Sequence, residues 1–293
     1  MTGFDYHEAF SRNLGWVTRE EQDRLRRCRV AIAGLGGVGG FHLLTLTRLG
    51  IGAFNLADFD SFDLVNFNRQ AGAGVSTLGK PKLDVMAGLA RDINPTLELR
   101  LFPGGLTEDS VDAFLADAEL YVDGLDFFAL DVRQAVFAAC ARRGIPAITV
   151  APLGMGAALL NFLPGKMTFE EYFAFGRGSQ LEKAMRFFVG LAPGRLQMGY
   201  LVDPSTIDLA NHQGPSTAMG CMLCAGVAGT ETLKILLGRG PVYGAPWGIH
   251  YDAFKNRLAR TWRPGGNRWN PLQRLALSMM RHHLKSHESP TPD

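Results

Sequence analysis

Residues Val30 to Gly40, V-A-I-A-G-L-G-G-V-G-G, constrain this chain more than any other stretch. An apolar run ends in a glycine-rich turn, and a segment with apolar residues at helical spacing follows. The order strand, tight turn, helix puts Gly34, Gly36 and Gly39 into a G-x-G-x-x-G pattern in its proper context. Glycine permits positive φ and close backbone approach. The first N–H groups of the helix have no intrahelical partner and face an anion. The stretch therefore predicts a seat for nucleotide phosphates. Alone it does not say which nucleotide.

The flanking sequence alternates in type. Thr18-x-x-Glu21 is a capping box for a helix running to about Arg26, and a first strand is expected near Arg29–Ala33. The helix Val38–Leu49 ends at Gly50. Strand two, Ala53–Ala57, closes on Asp58-Phe59-Asp60. An acid there, about 20 residues past the glycine turn, is the usual ribose-hydroxyl ligand of a Rossmann-like unit. Ser61–Gly79 is a long connection of the kind that is usually functional. A helix over Lys80–Ile93 takes Pro81 in its first turn. Strands at Leu97–Leu101, Glu119–Asp123 and Ala147–Val150 alternate with helices at Val111–Leu115 and Leu130–Arg142. This predicts an α/β fold with a mostly parallel sheet flanked by helices.

Beyond residue 150 the pattern changes to a mixed, antiparallel extension. A sixth strand is expected over Gly154–Phe162, and Thr168-x-x-Glu171 is a second capping box before short aromatic-rich helices. Residues 190–214 read as loop. Pro215–Leu237 reads as one long buried helix, Gly248–Asp252 and Arg257–Trp262 as a hairpin around Asn256, and Pro271–Lys285 as a last amphipathic helix. The main domain is placed at residues 1–262, with a crossover at about 163–214 and a helical tail over 263–293.

Composition narrows the classes of function. The net charge of +2 gives no reason to expect nucleic-acid binding, and the basic tail Arg281, His282, His283, Lys285 reads as a solvated helix end. The first ten residues contain acids and no apolar core, so no signal peptide is expected. The apolar stretch Ala218–Gly229 is too short for a membrane span. Four cysteines in 293 residues suit a reducing compartment, and a cytoplasmic location is expected.

The glycine turn by itself favours a nicotinamide or flavin over ATP, but the residues behind it reverse the choice. Asn66, Arg69 and Lys82 place an amide and two cations beside the phosphate seat. They suit a triphosphate and a pyrophosphate leaving group. Asp126 follows strand four at the carboxyl edge, where a carboxylate can hold Mg²⁺ against phosphates. Its other reading is an N-cap for the helix near Leu130.

G-L-G-G-V-G at 34–39, D-F-D at 58–60, N-F-N-R-Q at 66–70, G-K-P-K at 79–82 and D-G-L-D at 123–126 together resemble the ubiquitin-activating-enzyme-like family of ThiF, MoeB and HesA type. The resemblance covers about residues 10–165 strongly and 215–262 weakly. It implies a Rossmann-like ATP-binding domain, usually homodimeric, that adenylates a carboxylate with release of pyrophosphate. The carboxylate is commonly the C-terminus of a ubiquitin-like or sulfur-carrier protein, or of a peptide. Carried onto this chain, Gly34, Gly36 and Gly39 would line the nucleotide. Asp60 would hold the ribose with Asp58 beside it. Asn66, Arg69 and Lys82 would bind phosphate, and Asp126 would bind Mg²⁺. Arg12, in S-R-N, resembles the arginine that reaches the partner subunit's ATP.

The chain departs from that family at its cysteines. Members often carry two C-x-x-C pairs for zinc; here only Cys221-x-x-Cys224 exists, with Cys28 and Cys140 apart, so structural zinc within one chain is not expected. Residues 151–220 hold no cysteine for a thioester. Cys221 or Cys224 would serve only if the start of the long helix borders the site, so adenylation without an obligatory thioester is expected. His212 is a candidate for ordering the substrate carboxylate, against a merely structural role. Phe169, Tyr172, Phe173 and Phe175 read as a packed cluster, with a partner's landing surface as the alternative. The competing functions are a tRNA-modifying dehydratase of the same family, an NAD- or FAD-dependent oxidoreductase, and a silent nucleotide-binding subunit. The acceptor is not named by the sequence.

Overall fold

The computed structural model describes residues 3–208 and 213–269, with Ser278 besides. His212 and, apart from Ser278, the expected helix over residues 271–285 lie outside the described residues. The chain begins with α1 (Tyr6–Ala9), a 3₁₀ turn at Ser11–Asn13 and α2 (Arg19–Arg27). β1 (Arg29–Ala33), α3 (Gly39–Leu49), β2 (Ala53–Ala57), α4 (Lys82–Ile93), β3 (Glu98–Phe102), α5 (Val111–Phe114), β4 (Leu120–Asp123), α6 (Leu130–Arg143) and β5 (Ala147–Leu153) follow. The second half comprises β6 (Gly156–Phe162), α7 (Phe169–Phe173), α8 (Gln180–Leu191), α9 (Ala218–Leu237), β7 (Trp247–Asp252), β8 (Arg257–Trp262) and α10 (Gly266–Trp269).

The eight strands form one sheet in the order β3-β2-β1-β4-β5-β6-β7-β8. β3 to β5 are parallel; β6, β7 and β8 join antiparallel, as the change of pattern after residue 150 predicts. The inner strands are buried on both faces, which is why β1, β2 and β4 are apolar without alternation. One face packs Val30, Ile32, Leu43, Leu46, Phe54 and Cys224 against α3, α4 and α9. The other packs Tyr121, Phe137, Phe162, Phe169, Phe173 and Phe187 beneath α6, α7 and α8. Phe169, Tyr172, Phe173 and Phe175 are all buried there, so they are core and not a landing surface.

The local signals locate most element ends. Both threonine capping boxes form. Gly50 closes α3 with φ +95°, and Asn256 turns the β7–β8 hairpin with φ +50°. Four boundaries move by two residues or more. α4 starts at Lys82 because Pro81 is its N-cap, with ψ 130°, and a residue before proline is driven out of the helical region. β5 runs on to Leu153 and β6 begins at Gly156, because Gly154, with φ +61°, makes the turn between them. The long helix starts at Ala218 with Thr217 as its cap, donating from the threonine hydroxyl to the Gly154 carbonyl at 2.8 Å. By length and composition α9 is apolar enough to cross a membrane, but it lies on β5, β6 and α3 as a core helix.

His42, on α3, is fully buried, and neither ring nitrogen has a partner among the described residues. Burial lowers its pKa from 6.5 to about 3. The unfolded chain therefore takes up a proton below pH 6.5 that the folded chain refuses, and stability present above that pH is lost as pH falls. Linkage gives a loss of about 2–3 kcal/mol between pH 6.5 and 4.5 from this residue. Urea denaturation at the two pH values should show that loss in the wild type, and His42→Leu should reduce it by about that amount; an identical pH dependence in the two proteins would contradict it.

Candidate active site

The strand order reverses direction at β1, with β2 on one side and β4 on the other. In open parallel sheets the crevice at such a switch point, beyond the carboxyl ends of the strands, receives the ligand. The glycine turn leaves β1 there. Gly34 has φ +81°, and a side chain on it would overlap the Gly124 carbonyl. A side chain on Gly39 would overlap the Gly34 carbonyl. Packing alone therefore requires these two glycines. Gly36 differs: its backbone is ordinary, and a Cβ would meet nothing nearer than the Gln70 amide at 3.5 Å. A Cβ there would make only ordinary contacts, so packing does not require this glycine. Among the described residues the N–H groups of Gly36, Gly37 and Val38 take no partner. Free donors on the turn and at the Val38 N-cap of an 11-residue helix are groups that can receive an anion.

Two acids end β2, and they play different parts. Asp58 is buried and accepts from the N–H of Leu35 at 2.6 Å and of Asp60 at 2.8 Å. It ties the glycine turn to the end of the neighbouring strand. Burial pushes its carboxyl up, and those two N–H bonds and Lys82 oppose the shift. Asp60 is half exposed and pairs with Lys82 Nζ at 3.1 Å, while its carbonyl accepts from the Lys82 N–H at 2.8 Å. Lys82 keeps only 8% of its side-chain surface exposed, so a cation is stationed at the first residue of α4 beside the turn.

The connection 61–79 supplies the next residues. Asn66 is buried and accepts from the Asp63 N–H at 3.0 Å, which fixes the 3₁₀ turn Leu64–Asn66. Arg69 donates to the Val65 carbonyl at 3.0 Å and to Asn68 Oδ1 at 2.9 Å. Its Nε lies 3.8 Å from where a Cβ on Gly37 would stand. Cys221 Sγ lies 3.4 Å from the same point, so the start of α9 does border the glycine turn. Burial pushes that thiol up in pKa, against the Ser216 hydroxyl and Arg69. Cys28, Cys140 and Cys224 are buried too, each with its thiol raised by burial.

On the far side of the turn, Asp123 ends β4 and is buried in an ion pair with Arg133 at 2.9 Å. The same guanidinium donates to the carbonyls of Leu125, Asp126 and Phe127, and so clamps the loop that carries Asp126. Asp126 is exposed and accepts from the Phe128 N–H at 2.9 Å. This is a turn within the loop; α6 begins at Leu130 with Ala129 in the cap position, so the helix-cap reading of Asp126 does not hold. Its second oxygen takes no partner among the described residues. The crossover is pinned nearby: Tyr200 accepts from the Met155 N–H at 2.9 Å and donates to Asp252 at 3.0 Å.

The structure thus gathers Gly34, Gly36, Gly39, Asp58, Asp60, Asn66, Arg69, Lys82 and Asp126 at one edge of the sheet. It does not bring Arg12 there. Arg12 is exposed on the 3₁₀ turn whose Asn13 donates to the Arg48 and Leu49 carbonyls, at the opposite end of α3. Sequence reasoning quoted Gln70 and gave it no role, although it faces Gly36; its place right after Arg69 was the available signal.

A Rossmann-like sheet with this turn, two cations and a clamped carboxylate defines a nucleotide-binding protein. The ThiF family profile matches residues 10–268, and the chain belongs to the ThiF family. It is 37% identical over 150 residues to the tRNA threonylcarbamoyladenosine dehydratase of Bacillus subtilis, covering 51% of this chain and 57% of that protein. It is 31% identical over 148 residues to the sulfur carrier protein ThiS adenylyltransferase of Escherichia coli, covering 50% and 58%. The chain therefore spans a little over half the length of these relatives. Among solved structures it resembles E. coli MccB bound to ATP, with TM-score 0.62, 18% identity and coverage of 85% of this chain and 68% of that one. It also resembles the E. coli tRNA N6-threonylcarbamoyladenosine dehydratase, with TM-score 0.58, 21% identity and coverage of 79% and 95%. These structural likenesses establish the fold.

The two kinds of glycine make a paired prediction. Gly34→Ala should cost about 3 kcal/mol or more of stability, from positive φ and backbone overlap. Gly36→Ala should leave the melting temperature nearly unchanged and still weaken ATP binding at least about tenfold, because its methyl group would hold a phosphate crossing the turn away from the backbone. Thermal melts and calorimetric titration of both variants check this; equal destabilisation by both would contradict it.

Proposed function

We propose that this protein is an ATP-dependent adenylyltransferase that activates a carboxylate as its acyl-adenylate and releases pyrophosphate. The supporting observation is the meeting of three free N–H groups with Arg69, Lys82 and Asp126 at one sheet edge.

The nucleotide's ribose sits at the end of β2 against Asp60, and its phosphates pass over the glycine turn. The N–H groups of Gly36, Gly37 and Val38 hold oxygens there. Arg69 and Lys82 neutralise the charge that collects on the departing pyrophosphate, and Asn66 fixes the turn that carries Arg69. Such catalysis works by positioning and electrostatics, with no covalent nucleophile from the protein. Asp126 fits Mg²⁺: the ion is commonly bound through one or two carboxylates together with phosphates, and Asp126 keeps one oxygen free. When bound, Mg²⁺ supplies charge neutralisation to the phosphate chain.

The acceptor is proposed to be the C-terminal carboxylate of a small sulfur-carrier or ubiquitin-like protein, or of a peptide, and the active unit a homodimer in which Arg12 reaches the partner's nucleotide. Activity on a modified tRNA is the second reading, favoured by the 37% identity to the B. subtilis dehydratase. Salt-sensitive tRNA binding would select it.

ATP–pyrophosphate exchange, measured with small proteins and peptides bearing a free C-terminal Gly-Gly, tests the main reading. The wild type should exchange label. Lys82→Ala and Arg69→Ala should each lower the rate about 10²–10³-fold, with melting temperatures within a few degrees, since their partners are solvent-exposed groups or carbonyls. Exchange unchanged in both variants would overturn the reading.

A further inference from the structure

We propose that the outer face of α9 pairs antiparallel with the same face of a second copy of this chain. The homodimer proposed above names no surface. This pairing supplies one, and only its bearing on Arg12 rests on that reading.

α9 is more apolar than its cover in one chain accounts for. From Ala218 to Thr230 it carries no charge. Only 44% of its most apolar 18 residues are buried. Cys221, Cys224, Ala225 and Ala228 face the core. The other side presents Met219, Met222, Gly226 and Thr230, all exposed and three or four residues apart, so they form one stripe along the helix. Met222 keeps 59% of its surface exposed. The Thr230 hydroxyl donates to the Gly226 carbonyl at 2.8 Å, so the stripe asks for no polar partner. A long uncovered apolar stripe of this kind marks an interaction surface.

The two ends of the helix extend the surface. At its start, Asn68 donates to the Ser216 carbonyl at 3.0 Å. That bond joins α9 to the connection that exposes Leu64 and Val65. Just past its Gly238 cap, Arg239 donates to the Trp16 carbonyl at 2.7 Å and pairs with Glu21 at 3.1 Å. Trp16 is thereby held near the far end, 84% exposed.

These features select a second copy as the occupant. An isologous contact sets one patch against itself in reverse. Here knob and hollow lie one turn apart: a Cβ on Gly226 would meet nothing within 4 Å, and Met222 is the exposed side chain a turn before it. With Met222 of each copy set on the partner's Gly226, the two-fold axis passes level with Cys224. The end of the partner's α9 then falls about seven residues, or roughly 10 Å, before the first residue of this one. That is where the connection 61–79 lies, so Trp16 of each copy comes onto the partner's Leu64 and Val65. A stable dimer buries about 800 Å² on each copy. A helix about 30 Å long and 10 Å across offers roughly 300 Å², so the ends are needed as well as the stripe. Antiparallel pairing engages both. It also carries the turn Ser11–Asn13, with the exposed Arg12, toward the partner's glycine turn, because Cys221 and Gly37 meet at the start of α9.

Analytical ultracentrifugation of the nucleotide-free protein reads the pairing. The wild type should sediment at twice the chain mass at micromolar concentration. Gly226→Glu puts an unpaired charge into the hollow without crowding its own chain. It should raise the dissociation constant at least about a hundredfold with the circular dichroism spectrum unchanged. Met222→Cys protein mixed with Gly226→Cys protein should form an intermolecular disulfide under diamide faster than either does alone, which keeps the test open should Gly226→Glu fold poorly. A monomeric wild type, dimerisation indifferent to Gly226→Glu, or no preference for the mixed pair overturns the proposal. Binding of the wild type to phosphatidylcholine–phosphatidylglycerol vesicles, lost in Gly226→Glu, would overturn it in favour of a bilayer. A dimer that binds no ATP would overturn the proposed function and leave the pairing standing.

Discussion

The carboxylate of Asp58 holds this site together. It is buried at the end of β2 and takes the Leu35 and Asp60 N–H groups at 2.6 and 2.8 Å. One bond draws the glycine turn across to the neighbouring strand; the other sets the backbone of Asp60, whose carbonyl and carboxylate both take Lys82. A buried carboxylate is costly unless its oxygens are satisfied, and here each oxygen has a backbone donor. With the turn held, the donors of Gly36, Gly37 and Val38 take no acceptor among the described residues. The anion seat proposed there would thus be a consequence of where the turn is pinned.

Charge is then distributed by element. Lys82 comes from the first residue of α4 and Arg69 from the connection before it, while Asp126 comes from the loop that Arg133 clamps through three carbonyls. The cations and the carboxylate reach the crevice from opposite sides, so the carboxylate does not neutralise them. On the proposed function, a phosphate chain would meet the cations directly and Asp126 through a divalent cation. The crossover and α9 close the same edge, through Tyr200 at Asp252, the Thr217 hydroxyl at the Gly154 carbonyl, and Cys221 against Gly37.

Much of the fold was legible because it rests on local patterns. Unbroken apolar runs became the inner strands, and threonine boxes with terminal glycines gave the helix ends. Pro81 and Gly154 misled by two residues or so, since each enforces a local backbone geometry that an apolar pattern does not carry. The site was legible as a set of residues and less so as a set of roles. Asp60 read as the ribose ligand with Asp58 beside it; burial and two backbone donors show that Asp58 holds the turn while Asp60 is half exposed. Asp126 was readable as a cap or a ligand, and the position of Ala129 removes the cap. The contact between Cys221 and Gly37 joins residues far apart in sequence, and no local period encodes it. Gln70 was visible in its motif, but its lack of partners is a property of three dimensions alone.

The central claim is that bound ATP is cleaved between the α and β phosphates. Positional isotope exchange tests this most directly, using ATP labelled with ¹⁸O in the α–β bridge and peptides with a free C-terminal carboxylate. The account predicts that the label moves into non-bridging β positions at a rate that depends on the peptide. ADP and inorganic phosphate as the products, with the label still in the bridge, would contradict it.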